Sequence, residues 1–349
     1  MRVLIIKASA LGGIVNALPV LDYLKQVSPE IEIDWVVEEE YRGLLEGNPH
    51  LAELHTVRTG QWRSRLFAPQ TRREVAQLKE ALAGRSYDLV FDLQGDLRSG
   101  LICWLTGSAD RIGFEKCDLQ ESLNALFTTR RIPMRRQDSH STDKCLRLVS
   151  VPFARDFGEM QLGSAIRTSR DDDADAETLL ATLSDGLVFL FQCGATWQTR
   201  LWSEKSWSEL GRALLERFPD ATLLFTWGDE AERAAATEIA TAIGRGGRVL
   251  DRYSLKGLAA LLKRVDLVVG VDAGPVQLAA ALGTPTVSFY RATSGKVKGP
   301  RGNRHVVLQS PMHCTRCLRT HCDKDLQCRD TVKVEAVLAG MEKLLAEPS

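Results

Sequence analysis

Short runs rich in Val, Ile and Leu alternate along the chain with segments whose apolar residues recur every three or four positions. That is the pattern of parallel strands covered by amphipathic helices. In the first half the runs predict strands over residues 3–6, 31–37, 54–57, 89–92 and 111–113, with helices over 17–26, 72–83, 100–106 and 142–151. The pattern lapses at Arg170-Asp171-Asp172-Asp173-Ala174-Asp175, an acidic run that suits a helix start or a solvated linker. It resumes with strands over 187–191, 222–226, 249–250, 267–270 and 286–289, again with helices between them. A last amphipathic helix over 332–345 carries Val334, Val337, Leu338, Met341, Leu344 and Leu345 on its apolar faces. Two doubly wound, Rossmann-like α/β halves are expected, and no solenoid period is visible.

Composition agrees with two halves. A chain of 349 residues, 44% apolar and 26% charged, is too long for one average core. The formal net charge is zero, which supplies no global field to gather nucleic acid, so any basic surface is local. The apolar run 3–6 is much shorter than a signal core and reads as the first strand of a cytosolic protein. No stretch approaches the roughly 18 apolar residues of a membrane span.

Doubly wound sheets bind ligands at the carboxyl ends of their strands, so the turns there carry the candidate chemistry. The most informative is Val271-Asp272-Ala273-Gly274-Pro275-Val276-Gln277, where a strand gives way to an Ala-rich helix. A helix start offers unpaired N–H groups and the positive end of the dipole, and Gly274 lets a phosphate come close. Other Gly-bearing polar turns follow strands at Lys7-Ala8-Ser9-Ala10-Leu11-Gly12-Gly13, at Asp92-Leu93-Gln94-Gly95-Asp96, at Gln192 to Trp202, and at Trp227-Gly228-Asp229-Glu230-Ala231-Glu232. Four such turns at strand ends are less easily dismissed as helix caps than one.

In order, these motifs resemble the lipopolysaccharide heptosyltransferases of glycosyltransferase family nine. The resemblance runs through Lys7, Ser9, Gly12, Leu18-Pro19, Asp34-Trp35-Val36-Val37-Glu38-Glu39, Asn48-Pro49-His50, Tyr87-Asp88-Leu89-Val90, Asp92-Leu93-Gln94-Gly95 and Arg111-Ile112-Gly113-Phe114. It implies a GT-B architecture, with two Rossmann-like domains facing a central cleft. The expected divisions are an acceptor domain over 1–165, a nucleotide-sugar domain over 166–330, and a helix over 331–349 that packs back on the first domain. It also implies an inverting transfer of heptose from ADP-heptose to the lipopolysaccharide inner core, with no cofactor required. The implied place is the cytoplasm, in peripheral contact with the inner membrane, and the implied partners do not include nucleic acid.

On this resemblance Thr196, Thr199, Arg200, Glu232, Asp272, Ala273, Gly274 and Gln277 are expected at the donor. Arg200 stands for the family's Lys, Ala273 for its Thr and Gln277 for its His, and Gln cannot become cationic. Lys7, Ser9, Gly12, Arg63 and Arg65 are expected at the acceptor. A second basic cluster, Arg130-Arg131-Ile132-Pro133-Met134-Arg135-Arg136, suits anionic lipid. The sharpest departure is Gly13, which stands where the family carries the Asp taken as catalytic base. A general base contributes typically about 10²–10⁴-fold. Asp92, Asp96, Glu39 and His140 are the substitute candidates, each also readable as a cap or a solvated group. The alternative function is a noncatalytic or slow homologue that still binds a nucleotide sugar.

Cys314, Cys317, Cys322 and Cys328 form a compact set beside His313 and His321. Four thiolates at this spacing suit either a structural zinc or a disulfide-capable loop. Cys103, Cys117, Cys145 and Cys193 are scattered and read as reduced thiols.

Overall fold

A computed structural model of the chain describes residues 1–65 and 67–346. The chain separates into two compact units, Met1–Arg167 and Thr168–Ser349, each built on its own sheet. The first sheet holds β1 (Arg2–Ile6), β2 (Glu32–Glu38), β3 (Glu53–Val57), β4 (Leu89–Asp92), β5 (Arg111–Phe114) and β6 (Arg130–Ile132), in the order β3-β2-β1-β4-β5-β6. The second holds β7 (Val188–Gln192), β8 (Thr222–Thr226), β9 (Gly247–Val249), β10 (Leu267–Val271), β11 (Thr286–Tyr290) and β12 (His305–Gln309), in the order β12-β11-β10-β7-β8-β9. Every pairing is parallel. Both sheets have the same wiring, with the chain reversing direction between β1 and β4 and between β7 and β10. The carboxyl ends of those strand pairs are where a doubly wound sheet opens to a ligand.

The central strands are buried on both faces: Val3 to Ile6 and Phe189 to Phe191 are wholly covered, and so are Leu267 to Val269. This is why they read as unbroken apolar runs rather than alternating ones. Two strands escape the periodicity. β6 is a three-residue edge that contains Arg130 and Arg131, inside what the sequence suggests is only a basic cluster, and Arg135 of that cluster is tied to Asp138 at 2.9 Å. β12 is the opposite edge of the second sheet. Edge strands are short and half solvated, so their pattern is weak.

The first helix also differs from expectation. Instead of one helix over 17–26 there are two, Leu11–Ala17 and Pro19–Val27, with Pro19 at the start of the second. Leu11, Ile14, Val15 and Leu18 carry the helical period, which Gly12 and Gly13 dilute. Both glycines therefore lie in a helical turn, not a loop. The acidic run 170–175 opens the helix Arg170–Leu180, whose start is closed by a reciprocal Ser169–Asp172 box.

The core of the second unit is aromatic. Trp202 lies 5.1 Å from Trp207 and 4.8 Å from Phe289 between ring centroids, and Phe191 lies 5.3 Å from Trp207. Such pairs add about 0.5–1.5 kcal/mol each beyond area burial. The last helix, Val334–Ala346, gives Val337, Met341 and Leu344 to this core, and Glu342 pairs with Arg217 at 2.8 Å. Val337, Met341 and Leu344 are thus spent on the core of its own unit. Among the described residues no helix is long and apolar enough to cross a membrane.

Candidate functional site

The turn after β10 is held from three sides. Asp272, 6% exposed, accepts a hydrogen bond from Thr293 Oγ1 at 2.5 Å and lies 3.3 Å from Arg200 Nε. Arg200 also donates through Nη1 to the Asp272 carbonyl at 3.4 Å, and its guanidinium lies 3.9 Å from the centroid of the Trp197 ring. Trp202, two residues on, donates its indole N–H to the Val332 carbonyl inside the aromatic core. The arginine is therefore fixed at one end by packing and at the other by a carboxylate. Its remaining N–H groups form a planar donor fork at the strand ends, the geometry that suits phosphate oxygens.

Immediately beside it begins the helix Gly274–Ala281. Ala273 occupies the N-cap and supplies no side-chain bond, and Pro275 has no N–H. The first-turn N–H groups of Gly274 and Val276 are thus not capped by a side chain, which leaves the dipole end open to an anion. Gln277, in contrast, is 5% exposed and directs its amide to Tyr290 Oη at 3.2 Å and the Lys298 carbonyl at 2.6 Å. It braces the helix from inside. Thr199 is likewise turned away: its hydroxyl donates to the Arg319 carbonyl at 2.5 Å. Thr196 is exposed on the same turn.

Glu232 lies over the end of β7. It accepts the Gly228 N–H at 2.7 Å, and burial pushes its carboxyl above the usual range. A Cβ at Gly194 would fall 2.2 Å from the Glu232 carboxyl carbon, so that position admits only glycine while the acid stays in place. Arg200, Asp272, Gly274 and Glu232 are thus gathered on the β7 and β10 ends of one sheet.

In the first unit Lys7 is 9% exposed and donates to the Leu93 carbonyl at 3.1 Å, bridging the ends of β1 and β4. Ser9 N–H donates to Gln94 Oε1 at 3.3 Å. Gly12 and Gly13 follow in the helix, and a Cβ at Gly13 would stand 3.1 Å from Lys7 Cε and 3.4 Å from Nζ. Arg63 and Arg65 are exposed at the end of the helix Thr59–Ser64. That helix is anchored by Thr59, whose N–H donates to Glu38 at 3.1 Å and whose hydroxyl accepts from Arg98 at 3.1 Å.

Each of the substitute bases is engaged by neighbouring groups. Asp92 is fully buried and accepts from the N–H groups of Gln94 and Gly95, from Ser99 Oγ at 2.9 Å and from Asn124 Nδ2 at 2.6 Å. Burial raises its pKa against those four donors. Asp96 caps the helix Leu97–Leu105 in a reciprocal box with Ser99 and pairs with Arg98 at 3.0 Å. His140 Nδ1 accepts the Thr142 N–H at 3.1 Å as the cap of the helix Ser141–Ser150. Glu39 is gripped by Arg58 at 2.6 and 2.7 Å. Thr293, Asn124 and Arg291 went unnoticed in the sequence because each acts through a partner more than twenty positions away.

Cys314, Cys317, Cys322 and Cys328 line one pocket together with Thr199, Arg291 and Asp325. Among the described residues, however, the group of three or more side chains close enough to share an ion is Asp34, Glu53 and His55, not the thiols. Asp34 is already engaged by Arg85 at 2.9 Å and Tyr87 at 2.7 Å. The thiol segment instead supports the Arg200 turn: Thr199 bonds Arg319, and buried Arg291 joins Asp325 at 2.6 Å and also donates to the Leu201 carbonyl.

Residues 75–327 match the family model described as glycosyltransferase family 9 (heptosyltransferase). The chain is 32% identical over 326 residues to lipopolysaccharide heptosyltransferase 1 of Pseudomonas aeruginosa, covering 92% of this chain and 87% of that one. It is 29% identical over 313 residues to the protein of the same name from Escherichia coli K12, covering 89% and 94%. Among solved structures it is similar to the E. coli heptosyltransferase WaaC with ADP, at 26% identity and a TM-score of 0.80, over 99% of this chain and 100% of that one.

Proposed function

The chain belongs to glycosyltransferase family 9 and has its GT-B type of fold, and from that premise we propose that it transfers heptose from ADP-heptose to the inner core of lipopolysaccharide. The observation that carries this reading is the turn after β10, where a helix start without a side-chain cap stands beside the Arg200 fork held by Asp272 and Trp197. The second unit binds the donor there. Glu232 sits where a carboxylate would accept hydrogen bonds from a ribose, with Gly194 making room for it.

Transfer with inversion is a displacement at the anomeric carbon through an oxocarbenium-like transition state. Negative charge grows on the departing diphosphate as the glycosidic bond breaks. The Gly274 and Val276 N–H groups and Arg200 stabilise that charge without reorganising, which is the electrostatic form of catalysis. These cationic and dipolar groups do at the diphosphate what a metal does in other transferases, so we propose that turnover is insensitive to chelator. On the acceptor side Lys7 and the exposed Arg63 and Arg65 offer positive charge to an anionic sugar.

The proton of the acceptor hydroxyl is the weak point. Gly13 has no acceptor atom, and Asp92, Asp96, His140 and Glu39 are engaged elsewhere. We therefore place the chain among slow transferases, with proton removal left to solvent or substrate. A second reading, a nucleotide-sugar-binding homologue without turnover, rests on the same Gly13. The deciding experiment follows ADP release from ADP-heptose with an inner-core acceptor, with and without EDTA, beside a direct ADP-binding measurement. ADP release above the uncatalysed rate in both buffers is expected. ADP binding with no release supports the second reading, and no ADP binding removes both.

A further inference from the structure

In three places this chain closes an arginine and a carboxylate into a pair with two hydrogen bonds. Arg85 meets Asp34 through Nε at 2.9 Å and Nη2 at 3.0 Å, Arg58 meets Glu39 at 2.7 and 2.6 Å, and Arg135 meets Asp138 at 3.0 and 2.9 Å. That is the arrangement the two planar groups favour. Arg200 and Asp272 lie side by side and do not close. Arg200 Nε is 3.3 Å from Asp272 Oδ2 yet is buried without a hydrogen bond, so the distance is met and the alignment is not. Nη1 reaches only the Asp272 carbonyl, at 3.4 Å, and among the described residues Nη2 has no hydrogen-bond partner.

The cause lies in the turn after β11. Thr293 is wholly buried and donates its hydroxyl to the same Oδ2 at 2.5 Å. Tyr87 donates to Asp34 in a similar way at 2.7 Å and that pair still closes, so a second donor is not enough by itself. The arginine here has a tether of its own. Arg291, two residues before Thr293 and 1% exposed, donates to the Leu201 carbonyl and is clamped by the Asp325 carboxylate at 2.6 Å and carbonyl at 3.1 Å. The turn that carries both residues is itself fixed: Thr315 Oγ1 and the Arg316 N–H donate to the Arg291 carbonyl at 2.9 Å, and Gln309 Nε2 donates to the Thr293 carbonyl at 3.0 Å. Three consecutive residues thus hold the carboxylate through Thr293 and the main chain beside Arg200 through Arg291.

We propose that Thr293 and Arg291 are positioning residues of the donor site, which keep the Arg200–Asp272 pair open. A closed pair would engage Nε and one Nη with the carboxylate, and the fork would then offer little to phosphate oxygens. An open pair keeps the cation beside its acid but leaves its terminal N–H groups to the ligand. The role rests on the reading of the turn after β10 as the diphosphate site. Thr293 and Arg291 touch no ligand themselves; they act through Asp272 and the Leu201 carbonyl.

The test is a thermodynamic cycle on the full chain, with ADP affinity read by calorimetry. Thr293→Val removes the hydroxyl at nearly constant volume and should weaken ADP binding about fivefold, the scale of one net hydrogen bond, as the guanidinium turns onto Asp272. Thr293→Ala removes the same hydroxyl with no branched replacement and should do likewise, whereas Thr293→Ser keeps it and should bind as the unaltered chain does. In an Arg200→Ala background Thr293→Val should cost no further affinity, because its effect passes through the arginine. A hydroxyl that only supports the fold would lower affinity equally in both backgrounds, and that additivity overturns the proposal. So does unchanged ADP affinity in Thr293→Val and Thr293→Ala while Arg200→Ala is weakened, an outcome that leaves the donor reading standing. Absence of ADP binding by the unaltered chain, or full binding by Arg200→Ala, removes the diphosphate reading of this turn and the positioning role with it.

Discussion

Asp92 and Asp272 stand at corresponding places in two sheets of the same wiring, one closing β4 and the other following β10, and the molecule spends them in opposite ways. Asp92 is sealed and takes four donors, three from the turn and helix start that follow it and one from Asn124. Asp272 is shared with Thr293 and Arg200, and through Arg200 it orients a cation toward the strand ends. One carboxylate builds a turn and the other aims a charge. The fold sets where chemistry is available; the partners within about 3 Å decide whether the residue is free to do it.

The largest test of this difference concerns the missing base. A carboxylate at position 13 would begin beside Lys7, whose flexible end is 3.1 Å from the new Cβ, so the turn can admit it with a small shift of that side chain. Gly13→Asp should raise the rate of ADP release by about 10²-fold or more, within the usual range for a general base. An unchanged rate in a variant that still binds ADP and acceptor would show that the first unit's deficit lies elsewhere.

Arg200→Ala addresses the other side of the comparison. Loss of a charge-assisted contact to phosphate should weaken ADP binding about tenfold or more, by calorimetry, with the aromatic core and unfolding temperature little altered. If ADP affinity is unchanged, Asp272 and Arg200 form a structural pair as inward-looking as Asp92.

The smallest effect is on stability in acid. His305, on β12, is held down to about 4 from 6.5 by burial and by Arg304. A depressed histidine loses its contribution as pH falls from its unfolded pKa, so the second unit should weaken between about pH 6.5 and 4. In the first unit burial raises the Asp34 pKa, but bonds from His55, Arg85 and Tyr87 outweigh it and hold the carboxyl at about 2 against 3.8. That contribution is present above the unfolded value and is lost only between about pH 3.8 and 2. Acid titration followed by fluorescence and circular dichroism should therefore show an early loss of stability that His305→Gln removes and Asp34→Asn leaves in place. Persistence of the early loss in His305→Gln would assign it to other groups.

Much of the fold is legible in the sequence because buried parallel strands write themselves as apolar runs. Ten of the strands lie on or beside such runs, as at 89–92 and 222–226. β6 and β12 do not declare themselves, since an edge needs less apolar surface and β6 is largely arginine. The candidate site is legible only in part. Asp272 and Gly274 follow from strand-to-helix logic, while the bonds that Thr199 and Gln277 make go to partners distant in sequence, Arg319 and Lys298. Whether Asp92 is a base or a brace depends on Asn124, thirty-two positions on. Side-chain fate is a long-range property, and periodicity is a local one.

Trp202 has a consequence of its own. It stands two residues from Arg200 and is locked among Trp207, Phe289 and the Val332 carbonyl. The direction of a surface cation is thus inherited from the interior, so trimming a ring at Phe289 or Trp207 would loosen the setting of Arg200 together with the core.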